Sequence, residues 1–570
     1  MDKREVARVL EQIAAILEIK GENPFKVRAY ENAARAIDAL PEDLGALVAQ
    51  KRLGEVRGIG DSIRKNVEEL WTTGRMKFHE ELCASVPVGW FDMMKIPGLG
   101  PKRIRTLCDV LEIASVEELK RAAEGGRIRV LKGFGEQSEK KILEGIAFLE
   151  RGGARELAAL ARPLAELILA GLRDRKDVKR AEVGGSLRRW VETVKDVDLL
   201  VATTKPAAVA KAFLKLLPEH SIIASGDTKV SVRLEKGLAV DLRLVTDAQF
   251  PFALHYFTGS VAHNVRIRQR ALDRGFSLNE YELSGGAHPP IRSEEDLFRV
   301  LGLAAIEPEL REDRGEIEAA EAGILPRLVT MADMKGILHC HTTYSDGKST
   351  VEEMAEGAVA AGATWLGISD HSQSVRYAGG LMEEDLVRQQ AEIDKWNSKS
   401  KTLRILKGAE VDILPDGTLD YPDRVLERLD FVIASIHTNF NMGEEEMTAR
   451  VVKALRNKHV GVLAHPTGRL LLQRDGFRIR FDEVFRVAAG EGVAIEINAH
   501  PNRLELDWRE IPAAKALGVR FAVNPDAHHV SGYGHIRYGI GIARKGWLTK
   551  EDVLNTLPAE QALARLRARR

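Results

Sequence analysis

Ten of the fifteen histidines in this 570-residue chain follow residue 330. The first two, His339 and His341, sit one residue apart in GILHCHTTYSDG (336–347), and Asp346 follows five positions after His341. If this run is a strand, alternate side chains leave one face and both imidazoles converge. Such a pair holds a metal well and builds a core badly. Other strand-like runs close on similar residues: His371 in TWLGISDHS, Glu410 in LKGAEVD, His437 in FVIASIH, His465 in VGVLAHP, and Asp526 and His528 in FAVNPDAHH. A single buried histidine is usually a satisfied core residue, but six at successive strand ends are not. His, Asp and Glu without Cys suit Mn²⁺, Zn²⁺ or Fe²⁺ better than a structural zinc finger. Clustered divalent ions acidify a bound water and clamp a phosphate, which is the chemistry of phosphoester hydrolysis.

A second constellation lies upstream, in EVGGSLRRWVETVKDVDLLV (182–201). Asp196 and Asp198 alternate with Val197 and Leu199, so on a strand they share a face with Cα atoms about 6.5 Å apart. Carboxylates that close repel unless cations lie between them. Asp241 in LAVDLRLV repeats the alternation. Three such carboxylates on adjacent strands hold two Mg²⁺ ions about 3.5–4 Å apart, one activating a hydroxyl and one holding a triphosphate. Gly185 and Ser186 precede a helix with Arg188 and Arg189, and their N–H, hydroxyl and guanidinium groups suit that triphosphate.

These residues need elements to position them. Residues 1–150 read as helical, with a repeated turn: VRGIGDSIRKNV (56–67), IPGLGPKRIRTL (96–107) and LKGFGEQSEKKI (131–142). In each, glycines (Gly58 and Gly60, Gly98 and Gly100, Gly133 and Gly135) open an amphipathic helix followed by Lys or Arg, Lys102 among them. Such turns bring backbone N–H groups and a helix N-terminus to a phosphate. Residues 154–175 form another amphipathic helix. Residues 181–245 alternate four strand-like runs (AEVGGS, DVDLLVAT, KVSVRLE, LAVDLRLV) with one helix through AVAKAFLKLL. Residues 251–320 are mixed, and 316–335 read as a linker with a helical turn. From 336 onward seven strand–helix units follow, the pattern of a parallel barrel with its chemistry at the strand ends.

Composition excludes little. At 44% hydrophobic and 29% charged, with zero formal net charge, the chain is an ordinary multidomain globular protein. Residues 151–250 carry a modest excess, 18 Lys+Arg against 13 Asp+Glu. No stretch approaches the roughly 20 apolar residues that span a bilayer, and the charged N-terminus is no signal peptide. Three cysteines far apart in sequence make neither a zinc ribbon nor a disulfide framework, which points to the cytoplasm.

GGSLRR…DVDLLV, VDLRL, YFTGSVAHNVRIR (256–268) and GFSLNEY (275–281) occur together in one order. Over residues 1–320 the sequence thereby resembles the X-family of DNA polymerases. The resemblance implies helix-hairpin-helix elements that grip DNA backbone, with Lys26 a phosphate contact. It implies that Asp196, Asp198 and Asp241 are the palm ligands of Mg²⁺ or Mn²⁺. Gly185, Ser186 and Arg189 match triphosphate contacts, and Tyr256, Phe257 and Gly259 match the segment under the sugar that disfavours a ribose hydroxyl. Asn264 matches a nucleotide minor-edge contact and Arg268 a template contact. One position departs: where eukaryotic relatives have a Schiff-base lysine, this chain has Asn66. The adjacent Lys65 lies about 100° away around a helix. A pocket there still suits a 5′-phosphate, which requires charge and not nucleophilicity.

Residues 333–570 resemble the PHP (polymerase and histidinol phosphatase) domain. By that resemblance His339, His341, Glu410 and Asp526 hold one ion. Glu410 bridges to a second, held also by His437 and His465. Asp346, His371 and His528 hold a third. The ions are Mn²⁺ or Zn²⁺. Arg376 and Arg469, near these loops, are candidate phosphate contacts. His529 is expected to face away from the cluster if its strand persists.

The implied architecture is multidomain. An all-α helix-hairpin-helix region comprises a lyase-like domain (1–85) and a fingers-like subdomain (86–152). An α/β (α+β) nucleotidyltransferase palm (153–250), a thumb-like subdomain (251–318) and a linker (319–334) follow. A distorted seven-stranded β/α barrel (335–570) ends the chain. The implied function is filling of short gaps in DNA repair by a monomer, on gapped or primer–template DNA with a 5′-phosphate and dNTPs. To this the barrel adds 3′→5′ exonuclease or 3′-end-processing activity. The alternatives are a DNA-end-binding protein with phosphoesterase activity only, against which the intact acids argue, and a small-molecule phosphatase, which would not require DNA-gripping turns.

Overall fold

Two of the three repeated turns end on a glycine that caps a helix: Gly60 before Asp61–Thr73 and Gly100 before Pro101–Leu111. Gly135 directly precedes the third helix, Glu136–Gly152. A computed structural model describes residues 3–38, 40, 44–56, 58–87, 89–96, 99–152, 155–234 and 237–567. Gly98 lies outside the described residues. The chain forms two compact units, 1–153 and 154–570.

In the first unit the described residues form helices joined by turns. Helix Lys3–Ile19 buries Val6, Leu10, Ile13 and Leu17, one stripe at helical spacing, against Tyr30, Ala33 and Ile37 of Pro24–Asp38. A second core gathers Ile104, Leu107, Leu119, Ile142 and Ile146 around the later turns.

The second unit opens with a two-residue strand, Glu156–Leu157, paired antiparallel with Thr193–Val194, and then forms helix Ala158–Arg173 within the 154–175 helix that the sequence predicts. Five strands make the larger sheet that follows: β1 (Val178–Val183), β2 (Asp196–Thr203), β3 (His220–Ser225), β4 (Lys229–Leu234) and β5 (Ala239–Val245). Their order is β1-β2-β5-β4-β3, with β2 and β5 parallel and the other pairs antiparallel. Strand β3 is absent from the sequence reading. It lies at the sheet edge with Ile222 and Ile223 both exposed, so it lacks the alternation that marks a half-buried strand. Along β2, Val197, Leu199 and Val201 pack under the helices Ala158–Arg173 and Pro206–Leu216. Leu200 and Ala202 face the other way, onto Phe250, Ala253 and Leu254 of helix Phe250–Thr258. Asp196 and Asp198 share this second face by alternation. Helices Val261–Asp273 and Glu294–Val300 complete the thumb around Leu297 and Phe298.

The segment read as a linker is packed. Helix Glu316–Ala322 buries Glu316 and Ile317, and Val329 joins the core of the barrel.

Seven parallel strands then follow in sequential order: β6 (Gly336–Cys340), β7 (Trp365–Ile368), β8 (Arg404–Asp412), β9 (Phe431–Ser435), β10 (Val462–Leu463), β11 (Ala494–Asn498) and β12 (Phe521–Asn524). The His341 N–H donates to the Ala527 carbonyl (2.9 Å) and the Ala527 N–H to that of His339 (3.2 Å), so the first strand meets the chain beyond the last. One face is filled by Leu338, Trp365, Leu406, Phe431, Ile433, Val462, Ala494 and Ala522. Alternation carries that face upward from Leu406 through Gly408 to Glu410, and from Ala494 to Glu496. The apolar plug thus ends in acids at the carboxyl ends of the strands, where such barrels hold their chemistry.

Candidate active sites

In the palm, parallel pairing sets Asp198 directly opposite Asp241, with Asp196 two residues earlier on β2. Val240 and Leu242 are fully buried, leaving Asp241 and Arg243 on the other face, as the alternation predicts. Burial pushes the Asp198 carboxyl up to about 7, and the charges of Asp196 and Asp241 add to that rise. Lys229 Nζ contacts Asp241 Oδ2 at 2.6 Å. A buried acid crowded by two others is a site that calls for cations.

The Gly-Gly-Ser turn is built onto these acids. The Gly184 N–H donates to the Asp198 carbonyl (2.8 Å). Gly185 has φ +61°, and a Cβ there would stand 2.2 Å from Asp198 Oδ2. Ser186 is half-buried on the short helix Gly185–Arg188, and Arg189 ends it. Arg188 turns to the thumb, donating to Thr258 Oγ1 (2.7 Å) and Glu294 Oε2 (2.7 Å). The rings of Tyr256 and Phe257 meet edge to face at 5.1 Å, and the Arg243 guanidinium lies 4.5 Å over Phe257. Gly259 ends that helix, and Asn264 Nδ2 donates to the Tyr256 carbonyl (2.7 Å). Arg268 is exposed one turn after Asn264. The palm acids, the turn and the Tyr256–Phe257 segment therefore form one neighbourhood.

In the first unit Lys26 and Lys102 are exposed. Lys26 Nζ lies 5.3 Å over the Phe78 ring, and Lys102 pairs with Glu18 at 3.7 Å. Open space surrounds Gly60, Gly100, Gly133 and Gly135, while Gly58 adopts φ +101°. Asn66 Nδ2 donates to the Tyr30 hydroxyl (2.9 Å), and Lys65 is exposed.

The barrel brings His339, His341, Asp346, His371, Glu410, His437, His465, Asp526 and His528 into one cluster. Glu410 stands at its centre. Oε1 lies 3.4 Å from His339 Nε2, 3.4 Å from His437 Nε2 and 2.8 Å from His465 Nε2. Oε2 lies 3.6 Å from His341 Nε2 and 2.8 Å from His371 Nδ1. Asp526 Oδ1 lies 3.4 Å from His341 Nε2, and Asp346 Oδ1 lies 3.2 Å from His528 Nε2. The groups overlap more than three separate ligand sets would: His465 stands with His339 and Glu410, His437 with His371 and Glu410, and His341 with both Asp526 and Asp346.

The donor set suits cations. Both ring nitrogens of His341 are buried without a hydrogen-bond partner, as is His339 Nε2. Burial holds His341 neutral, pulling it down to about 3, the state in which imidazole ligates. Burial also opposes charge on His339, but Glu496, Asp526 and Glu410 outweigh it and hold that ring well above its usual range. The pocket is thus negative enough to attract positive charge.

Convergence is not achieved by simple alternation. Strand β6 shifts register between Ile337 and Cys340, and His339 adopts φ 61°. His465 (φ 22°) and Asp526 (φ 51°) are also left-handed. Non-glycine residues in this region store strain that the surrounding packing must hold, and they cluster at functional sites. Cys340 points into the apolar core.

Two positioning residues escape the sequence reading. Glu496 Oε1 lies 2.6 Å from His339 Nδ1, and its Oε2 accepts from the His465 N–H (2.7 Å). Asp412 Oδ1 lies 2.6 Å from His437 Nδ1. Each carboxylate fixes which ring nitrogen faces the cluster. The signal was an acid inside an apolar strand, as in AIEIN. Arg376 is exposed. Arg469 is not free for phosphate, because all three guanidinium nitrogens are engaged: Nε with the Arg503 carbonyl (2.9 Å), Nη1 with Asp507 (3.0 Å) and Nη2 with the Leu504 carbonyl. Strand β12 ends at Asn524, and His529 caps the following turn through Ser531.

Four family models match parts of the chain. The helix-hairpin-helix domain matches residues 1–76, the SAM-like helix-hairpin-helix tandem 91–147, the DNA polymerase beta thumb 253–312 and the PHP domain 338–500. The chain is 41% identical over 560 residues to the DNA polymerase/3′-5′ exonuclease PolX of Bacillus subtilis, covering 97% of each. It is 30% identical over 236 residues to a probable phosphatase of Thermoanaerobacter, 39% of this chain and 91% of that one. A probable phosphatase of Acetivibrio thermocellus is 34% identical over 206 residues, 34% of this chain and 80% of that one.

Proposed function

This chain belongs to the bacterial X-family DNA polymerases that carry a C-terminal PHP domain, and from that premise we propose that it fills short gaps in DNA and trims 3′ ends. The carrying observation is that one compact unit, residues 154–570, contains two separate acidic centres. Asp196, Asp198 and Asp241 would hold two ions, Mg²⁺ or Mn²⁺, and the nine barrel residues three, Mn²⁺ or Zn²⁺. Bound divalent cations supply Lewis-acid chemistry at both centres, acidifying a hydroxyl or water and neutralising phosphate charge.

The remaining work falls to the chain's own residues. Gly185 and Ser186 offer N–H and hydroxyl donors to the triphosphate, and Arg189 offers charge. Tyr256, Phe257 and Gly259 pack under the sugar and disfavour a ribose hydroxyl. Asn264 reads the nucleotide edge, and Arg268 steadies the template. Lys26, Lys102 and the glycine turns at 58–60, 98–100 and 133–135 grip phosphates of gapped DNA, its 5′-phosphate included. In the barrel Glu496 and Asp412 orient His339 and His437 toward the ions that the cluster would hold. Each centre is complete within one chain, which supports action as a monomer. Among the described residues no helix is long and apolar enough to cross a membrane. Three unpaired cysteines and a DNA substrate suit the cytoplasm.

The test uses a one-nucleotide gapped duplex. Asp198→Ala should abolish dNTP insertion and leave 3′ trimming intact, and His339→Ala should do the reverse. Loss of both activities in either variant would refute independent centres.

A further inference from the structure

The palm and the barrel meet along the barrel helix Ile536–Lys545, next to the triphosphate turn. Trp190, the residue after Arg189, lies so close to Gly541 that a Cβ there would stand 2.3 Å from the indole. Its ring also meets Tyr538 edge-on at 6.3 Å. Glu192 lies between Arg469 (3.5 Å) and Arg509 (3.7 Å). The backbone that carries Arg189 is therefore clamped by the barrel domain.

The Arg189 side chain is held as well. Its Nε donates to Glu312 Oε1 (2.9 Å) and its Nη1 to the Thr258 carbonyl (2.8 Å). The same Glu312 oxygen accepts from Nζ of Lys545, the last residue of the barrel helix. The Lys545 side chain is 0% exposed, with its nitrogen 4.3 Å over the Trp508 ring and 3.5 Å from the Glu309 carbonyl. A fully buried lysine is rare and costly unless paired. Here one carboxylate serves two cations, so the triad keeps a net positive charge. Without Lys545 the whole Glu312 charge would fall on Arg189, and the guanidinium would lose its pull on a phosphate.

We propose that Lys545 is a positioning residue for nucleotide addition: by sharing Glu312, it leaves Arg189 oriented and net positive toward the incoming triphosphate. A residue of the hydrolytic domain thereby tunes the polymerase. The inference rests on Arg189 as a triphosphate contact.

The experiment is steady-state gap filling with the full chain. Lys545→Met should raise KM for dNTP about tenfold with kcat little changed, since an interaction with bound nucleotide is weakened. The 3′→5′ exonuclease should stay within twofold of the unaltered enzyme. Adding Glu312→Gln to Lys545→Met should restore KM, because Arg189 then faces a neutral amide; a packing role would not be rescued this way. Lys545→Gln replaces the Met variant if that one fails to fold. An unchanged KM in Lys545→Met alongside a raised KM in Arg189→Ala overturns the inference and spares the reading of Arg189. An unchanged KM in Arg189→Ala overturns the reading itself. Parallel loss of both activities without rescue by Glu312→Gln also overturns the inference.

Discussion

Gly185→Ala should disable the polymerase while leaving the protein folded. A Cβ at this position would stand 2.2 Å from Asp198 Oδ2, and the residue sits at φ +61°. The backbone cost for Ala in the left-handed region is about 1–2 kcal/mol. In a compact unit as large as 154–570, that lowers the melting midpoint by no more than a few degrees. The steric cost falls elsewhere. Asp198 cannot retreat freely: the Gly184 N–H holds its carbonyl, and it pairs in register with Asp241. The carboxylate must move by roughly 1 Å, and a displacement of that size at a reacting centre costs on the order of a hundredfold in rate. Single-turnover gap filling, with circular dichroism melting and exonuclease rate as controls, reads this directly. Insertion within threefold of the unaltered enzyme would mean that the turn does not position Asp198, and the palm reasoning would fail.

Glu496→Gln should weaken ion binding and exonuclease rate by roughly 10–100-fold, because it removes the carboxylate that anchors His339 Nδ1; Mn²⁺ titration of nuclease activity checks this, and an unchanged titration refutes the anchoring role. Chelation should lower the melting midpoint of the full chain and Mn²⁺ or Zn²⁺ should restore it, because the buried acids of the barrel attract positive charge; a midpoint indifferent to chelator argues against a metal cluster. Affinity for gapped DNA should fall steeply with salt as phosphate contacts release counterions, and Lys26→Ala with Lys102→Ala should reduce the slope by about 2; a flat response would dismiss the glycine turns as phosphate grips.

The seven barrel strands were legible one by one because each is a short apolar run and most close on a polar ligand residue, and each forms in the predicted order. Asp198 and Asp241 were legible because period-two alternation puts Val197, Leu199, Val240 and Leu242 in the core and leaves the acids on the other face. The edge strand β3 was not, since solvent on both sides removes the alternation. Glu496 hid inside its strand and Asp412 at the end of the strand that already supplies Glu410, and neither acid has an evident role until the histidine it holds is known. Arg469 looked like a phosphate contact because it follows His465 closely, but chain folded from elsewhere occupies its guanidinium.

By itself, then, the sequence determined the chemistry: which residue types stand at which strand ends, and which turns expose backbone donors. Those features are local, set by periodicity and by the conformational freedom of glycine. Only the tertiary structure decided the geometry of their meeting. His339 and Asp526 reach the cluster through left-handed backbone that neighbouring strands must hold in place. Arg189 is reached through Glu312 by Lys545, a residue 356 positions away by number and one hydrogen bond beyond Glu312 in space. No local pattern encodes that contact, because it exists only once the barrel helix has packed against Trp190.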